Sequence, residues 1–98
     1  MFRDDLILRV WQKAATILGF DSNEWRKDQC GAWMGFSKYG DRDSPYGWEI
    51  DHITPVILGG TDSISNLRPL QWTNNASRSD GPLRCTIRSS GEKNIRMG

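Results

Sequence analysis

The sequence predicts an α+β fold, in which an N-terminal helix packs on a small antiparallel sheet. Three observations predict it. Apolar residues recur at helical spacing near the start of the chain. Two apolar runs in the middle of the chain are separated by a glycine-containing loop, as in a pair of antiparallel strands. Residues typical of helix caps follow the second run directly. The length of 98 residues suits one domain, 1–98, with one modest core.

The N-terminal helix is predicted over residues 4–18. Its apolar face comprises Leu6, Val10, Ala14 and Ile17. Two aspartates suit its N-terminal end, and Gly19 suits the position just after its last turn. Residues 21–29 are expected to add a short helical turn, and residues 30–36 a short strand.

The middle of the chain predicts strand, loop, strand and helix in that order. Residues 37–47 are dense in turn formers and charges, which indicates an exposed loop. The two strand-like runs are 48–58 and 67–72, and a helix is expected to start within 73–80. Beyond residue 80 the sequence predicts only a strand near 85–88 and then a flexible end.

Charge is distributed unevenly along the chain. Residues 1–77 hold eight basic and ten acidic residues, whereas residues 78–98 hold five basic and two acidic ones. The tail at about 81–98 is therefore basic, although the net charge of the whole chain is only +1. Such a tail either contacts phosphate groups or is simply solvated, and charge alone does not choose between the two.

Composition excludes several classes of protein. No run approaches the roughly 20 apolar residues of a membrane span. Acids follow the first residues at once, unlike a signal peptide, so an intracellular location is expected, in the cytoplasm or in a host cell if the source is a virus. Cys30 and Cys85 are far apart and form no CxxC motif. This spacing supports neither a disulfide framework nor a four-cysteine zinc site, and reduced thiols are expected.

The only histidine, His52, directly follows Asp51 in the first predicted strand. Neighbouring side chains on a strand point to opposite faces, so both can reach one site only if the strand ends or twists there. Pro55 makes such an end plausible. Asn66 lies at the end of the following loop, and Asn75 near the start of the predicted helix. A hairpin covered by that helix would bring the aspartate, the histidine and Asn75 together.

Residues 49–80, EIDHITPVILGGTDSISNLRPLQWTNNASRSD, resemble the HNH endonucleases, also called His-Me finger nucleases. The family pattern is an acid or histidine, a histidine, a P…GG loop, an NL..L segment, and a histidine or asparagine near a helix start. The resemblance implies a ββα-metal finger over about residues 47–80. The chain would be an HNN variant, and it lacks the paired CxxC motifs that brace many members.

The resemblance implies a role for each matching residue. Asp51 and Asn75 correspond to ligands of a divalent metal ion, and His52 corresponds to the general base. Asn66 corresponds to the middle asparagine, which steadies the loop behind the base. Asn74 competes with Asn75, because it could be the helix cap or, in a shifted register, the ligand.

Three arginines are candidates for contact with nucleic acid. Arg78 corresponds to the basic residue that often faces phosphate in the family, although an arginine at this position is as often a plain surface residue. Arg84 and Arg88, in the basic tail, are weaker candidates.

These residue types suit phosphodiester hydrolysis. A neutral imidazole can take a proton from water, and carboxylate and amide oxygens are ligands that suit Mg²⁺ or Mn²⁺. The prediction is a metal-dependent endonuclease that acts on DNA, duplex DNA above all. The alternatives are a non-catalytic DNA-binding or assembly module with the same finger, and a structure- or RNA-directed nuclease. Double-strand cleavage would require a homodimer, a second visit or a partner protein.

Overall fold

The computed structural model describes residues 2–97, which form two α-helices and seven short β-strands. The helices are α1 (Asp4–Trp11) and α2 (Trp72–Arg78). The strands are β1 (Ala15–Thr16), β2 (Trp25–Lys27), β3 (Trp33–Gly35), β4 (Trp48–His52), β5 (Leu67–Gln71), β6 (Ile87–Ser90) and β7 (Lys93–Arg96). They pair antiparallel in three small sheets, in the orders β1-β2-β3, β4-β5 and β6-β7. The predicted α+β class is confirmed.

Helix α1 is shorter than predicted, since it ends at Trp11 and not at Leu18. Its first turn carries two aspartates and its last turn Arg9, which suits the helix dipole. Beyond Trp11 the chain turns, and Ala15 and Thr16 pair with β2. Leu18, the last residue of the predicted helix, is fully exposed. Pairing with a neighbouring strand has replaced the last two helical turns.

The predicted helical turn at 21–29 is only partly correct. One turn forms at its start, where the backbone N–H groups of Glu24 and Trp25 both donate to the carbonyl of Asp21. The chain then extends as β2 and pairs with β3, with Arg26 opposite Met34. The strand expected within 30–36 is present as β3.

The central hairpin and the helix after it follow the prediction. Strands β4 and β5 pair along their whole length, with Asp51 opposite Arg68 and His52 opposite Leu67. Helix α2 begins immediately after β5, and the side chain of Gln71 caps it. The hairpin is positioned by the core, whose buried members are Val10, Trp11, Met34, Trp48, Ile50 and Leu67.

The C-terminal region is ordered structure and not the flexible end predicted from the sequence. Strands β6 and β7 form a hairpin, with Ile87 opposite Arg96. The hairpin is tied to the body through Asn94, whose side chain accepts from the backbone N–H of Trp33 and donates to its carbonyl. Residue 98 of the predicted tail lies outside the described residues.

The two cysteines form a disulfide, so the expectation of reduced thiols is wrong for this structure. Cys30 and Cys85 are 55 residues apart in sequence. They meet because the C-terminal hairpin lies against the loop before β3, where the N–H of Ser89 donates to the carbonyl of Gly31. Disulfides persist mainly in oxidising compartments, which argues against the intracellular location that the sequence predicted. That location stays a prediction.

Neither of the helices formed by residues 2–97 is long and apolar enough to cross a membrane.

Candidate functional site

An open cleft of about 520 Å³ lies where β4 ends beside α2. Four of the residues predicted as functional line it together: Asp51, His52, Asn75 and Arg78. The other lining residues come from β4, from α2 and from the segments around them: Arg42, Ile50, Pro55, Val56, Ile57, Ala76, Ser79 and Asp80. The convergence that was expected from a hairpin covered by a helix is therefore what the structure contains.

Asp51 and His52 both reach the cleft because β4 ends at His52. The next residue, Ile53, still donates its backbone N–H to the carbonyl of Asn66 at 2.8 Å, and the chain then leaves the hairpin. The strand ends where the prediction required it to end. Asp51 is buried at 7% exposure, whereas His52 is partly exposed.

His52 has a partner that the sequence reasoning missed. Its Nε2 atom lies 2.7 Å from Oδ1 of Asp62, an exposed residue of the loop between β4 and β5. The ring also contacts Phe2, with 5.9 Å between the ring centroids. Asp62 stands inside the segment that carries the family resemblance, in GGTDSISN, so the signal was present but carried no assigned role.

Asn66 steadies the loop after β4 from the inside. Its Oδ1 accepts from the backbone N–H of Thr54 at 2.8 Å, and its Nδ2 donates to the carbonyls of Thr54 and Thr61. Gly60 lies so close that a Cβ there would stand 1.7 Å from the Thr54 carbonyl oxygen. These contacts join the two ends of the loop behind His52, as the predicted role of Asn66 requires.

Asp51 lies between two arginines. Its Oδ2 accepts from Nε of Arg68 and from Nη1 of Arg78, both at 2.7 Å. Arg68 is the direct cross-strand neighbour of Asp51, so the register of the hairpin alone creates the first pair. The predicted metal ligand is thus already neutralised by protein charges on one of its oxygens.

Arg78 is buried, with 8% exposure, whereas a residue that contacts phosphate would be expected to be exposed. Besides Asp51, its guanidinium donates to the carbonyls of His52 at 2.7 Å and Gly81 at 2.9 Å. It therefore ties the end of α2 to the end of β4. Its contact with phosphate remains a prediction, and the contacts that the structure contains hold the fold together.

Asn75 is held by a second ionic group. Its Nδ2 donates to Oε1 of Glu49 at 2.8 Å, and Arg42 binds both oxygens of the same carboxylate. Burial raises the pKa of Glu49, but hydrogen bonds from Arg42 and Asn75 and the charge of Arg42 lower it by more, so its pKa lies below the ordinary value. Glu49 therefore holds the amide group of Asn75 in place.

The competition between Asn74 and Asn75 is resolved by burial. Asn74 is fully buried, and its Nδ2 donates to Oδ2 of Asp28 and to the carbonyl of Ile87. Its Oδ1 accepts from the N–H of Ile87 in return. Asn74 joins α2 to β6 and faces away from the cleft, so Asn75 is the asparagine available there.

Arg84 and Arg88 are exposed, and neither belongs to the described residues that line the cleft. Arg84 precedes the disulfide, and Arg88 lies on β6. A contact between either residue and nucleic acid would lie outside the cleft itself.

Comparison with family models gives one match, which covers residues 36–79 and carries the description HNH endonuclease. Residues 36–79 are therefore similar to HNH endonucleases. The match contains Asp51, His52, Asn66, Asn75 and Arg78, and it confirms the resemblance that was predicted from the sequence. Comparison with curated proteins and with solved structures found no match. The match suggests a nuclease-type function.

HNH nucleases generally use a divalent metal ion, and the donor atoms that line this cleft can be compared with the ligands such an ion needs. No group of three or more His, Cys, Asp or Glu among residues 2–97 could hold a metal. Within the same residues, however, Oδ1 of Asp51 and Oδ1 of Asn75 receive no hydrogen bond, and both residues line the cleft. Two hard oxygens fit Mg²⁺ or Mn²⁺, which commonly keep several waters and take further ligands from a substrate phosphate.

Proposed function

We propose that this protein is a metal-dependent HNH endonuclease that hydrolyses phosphodiester bonds of DNA. One observation carries the proposal. Asp51, His52 and Asn75 line a single open cleft within the segment that matches the HNH endonuclease model. The geometry of the cleft and the family match therefore support the same reaction class.

His52 is the proposed general base. It is partly exposed, it lines the cleft, and its ring is held by Asp62 and Phe2. A held imidazole can take a proton from a water molecule in the cleft as that water attacks phosphorus. Asn66 contributes indirectly, since it fixes the loop that carries Asp62.

Asp51 and Asn75 are the proposed ligands of one divalent ion, Mg²⁺ or Mn²⁺. When bound, such an ion stabilises negative charge on the phosphoryl and leaving oxygens. Arg68 and Arg78 fix the direction of the Asp51 carboxylate through Oδ2, and Glu49 fixes the amide of Asn75. Both donor groups are thereby oriented before any ion arrives.

The proposed products are a 5′ phosphate and a 3′ hydroxyl, and one site cuts one strand. Duplex DNA is the proposed substrate, with Arg84 and Arg88 as contacts to its backbone outside the cleft. A structure-directed or RNA-directed nuclease would use the same chemistry. Double-strand cleavage would still require a homodimer, a second visit or a partner protein.

Nicking of supercoiled plasmid tests the proposal. Wild type is compared with His52→Ala in Mg²⁺, in Mn²⁺ and in EDTA, and Asn23→Ala serves as a control variant, because Asn23 is exposed and away from the cleft. Metal-dependent nicking by wild type and by the control, lost in His52→Ala, is expected. Equal nicking by His52→Ala would identify a contaminating nuclease. No cleavage of DNA or RNA by folded protein in any metal would refute the proposal.

A non-catalytic DNA-binding module with the same finger is the second candidate. The observation that favours it is the pairing of Asp51 with two arginines, which opposes a further cation nearby. Titration with Mn²⁺, followed by electron paramagnetic resonance, separates the two functions. Binding that is lost in Asp51→Asn supports the nuclease, whereas DNA binding without any Mn²⁺ binding supports the module.

A further inference from the structure

The hydrogen bond between His52 and Asp62 determines which ring nitrogen carries a proton. A carboxylate at neutral pH has no proton to donate and can only accept. With Nε2 lying 2.7 Å from Oδ1 of Asp62, Nε2 must be the protonated nitrogen of a neutral ring. Nδ1 then holds the free lone pair, and it has no hydrogen-bond partner among residues 2–97.

Asp62 is presented to His52 by a fixed loop. Nδ2 of Asn66 donates to the carbonyl of Thr61, the residue just before Asp62, at 2.8 Å. Gly60, one residue earlier, has no room for a Cβ against Thr54. The backbone next to Asp62 is therefore held in place by Asn66, although the Asp62 side chain itself is 70% exposed.

We propose that Asp62 is a positioning residue for hydrolysis, because it holds His52 in the Nε2–H tautomer with Nδ1 free to act as the base. Its effect on rate depends on the proposed nuclease function, whereas the tautomer does not. In the reaction, Nδ1 takes one proton from water, and the oxygen of that water bonds to phosphorus. The bond from phosphorus to the 3′ oxygen breaks, its electron pair stays on that oxygen, and solvent protonates it. The imidazolium then returns its proton to solvent.

The exposure of Asp62 makes it a clean target for substitution. Ion pairs with an exposed partner contribute little to stability, so its variants should fold. Asp62→Asn keeps the shape but can donate or accept, and therefore no longer selects one tautomer. Asp62→Glu keeps the acceptor. Asp43→Asn removes the same charge from an exposed loop where the side chain has no hydrogen bond within the described range, and serves as the matched control.

Nitrogen-15 NMR of the imidazole reads the tautomer directly. His52 is the only histidine, so its two ring nitrogens are assigned without ambiguity. Spectra are recorded at about pH 8.5, where an ordinary imidazole with a pKa of about 6.5 is neutral. An unprotonated Nδ1 is expected in wild type, in Asp62→Glu and in Asp43→Asn, with mixed tautomers in Asp62→Asn. A protonated Nδ1 in wild type, or an unchanged tautomer in Asp62→Asn, would overturn the proposal.

Cleavage kinetics then test the consequence for the reaction. Asp62→Asn is expected to lower kcat by about 10- to 100-fold with KM nearly unchanged, as is usual when an orienting partner is lost. Asp62→Glu should restore most of the rate, and Asp43→Asn should match wild type. Unchanged kcat in Asp62→Asn would overturn the positioning role. If wild type itself cleaves nothing, the proposed function fails, while the NMR result still decides the tautomer.

Discussion

Replacement of Arg78 by methionine separates its structural role from a role in phosphate contact. Methionine keeps much of the apolar stem but removes the guanidinium. The change leaves Oδ2 of Asp51 with Arg68 alone, and it deprives the carbonyls of His52 and Gly81 of their donor. The side chains of Arg78 and Asp51 are 6% and 9% exposed, so water cannot readily take over these bonds.

The magnitude follows from the burial of the pair. Removing one partner of a buried ion pair lowers the free energy of unfolding by about 3 to 5 kcal/mol. Arg68 keeps part of the charge balance for Asp51, which places the estimate nearer about 3 kcal/mol. Each carbonyl that loses its donor costs about 1 to 3 kcal/mol, and these terms are not additive. A chain of this size has a free energy of unfolding of roughly 5 to 15 kcal/mol, so the loss is a large fraction of it.

Urea unfolding, monitored by tryptophan fluorescence, measures this effect. With a slope of about 1 to 2 kcal/mol per molar urea, Arg78→Met is expected to lower the midpoint by about 2 M. Arg84→Met is the matched control, since Arg84 is exposed, and it should change stability by less than about 0.5 kcal/mol. DNA binding is measured for both variants at several salt concentrations.

One result would refute the reasoning. If Arg78→Met keeps the urea midpoint of wild type while the salt dependence of DNA affinity falls by about one phosphate contact, Arg78 reaches phosphate and is not a structural tie. The phosphate role that the sequence predicted would then be correct.

Three further predictions concern the stability of the fold. The pKa of Glu49 is lower in the folded state than its ordinary value of 4.5, so its contribution to stability is present above about pH 4.5 and is lost as pH falls through the folded pKa. The difference in free energy of unfolding between wild type and Glu49→Gln, measured by urea unfolding, should therefore narrow as pH falls from 6 through the folded pKa, and a constant difference would contradict this. The Cys30–Cys85 disulfide joins residues that are 55 positions apart, and the loss of chain entropy that it imposes on the unfolded state is worth up to about 4 kcal/mol. Reduction should therefore lower the free energy of unfolding by up to that amount. Two titratable thiols in the native, unreduced protein would show that the bond is absent. Gly60→Ala should lower the free energy of unfolding by about 1 to 3 kcal/mol, because the new methyl group has no room against Thr54. It should also speed hydrogen exchange of the Thr54 amide. Unchanged exchange would show that the loop accommodates the methyl group.

Local patterns were reliable where local physics dominates. The hairpin of β4 and β5 was predicted because both runs are apolar and bounded by turn residues, and the helix after it because capping residues follow directly. The N-terminal helix was predicted too long, because its periodic pattern continues to Leu18. In the structure, Ala15 and Thr16 pair with β2 instead. Pairing between strands depends on residues far along the chain, and helical periodicity contains no information about it.

The candidate site shows the same division. The resemblance of the segment that contains Asp51, His52, Asn66 and Asn75 to HNH endonucleases predicted the finger, and the family match over residues 36–79 confirms that resemblance. The spacing could not show that Arg78 turns inward to Asp51, since an exposed and a buried arginine look identical in sequence. It also could not assign Asp62 to His52, because that contact depends on how the loop between β4 and β5 folds back on itself.

The sequence by itself determined the fold class, the central hairpin and helix, and the set of polar residues that meet at the cleft, because these follow from periodicity, turn chemistry and a motif within one short segment. Only the tertiary structure decided the partners of those residues. It paired Asp51 with two arginines, joined Cys30 to Cys85, and turned the basic end of the chain into a hairpin. The physical reason is that hydrogen bonds and ion pairs act over a few ångströms in space, and the sequence separation of their partners here reaches 61 residues.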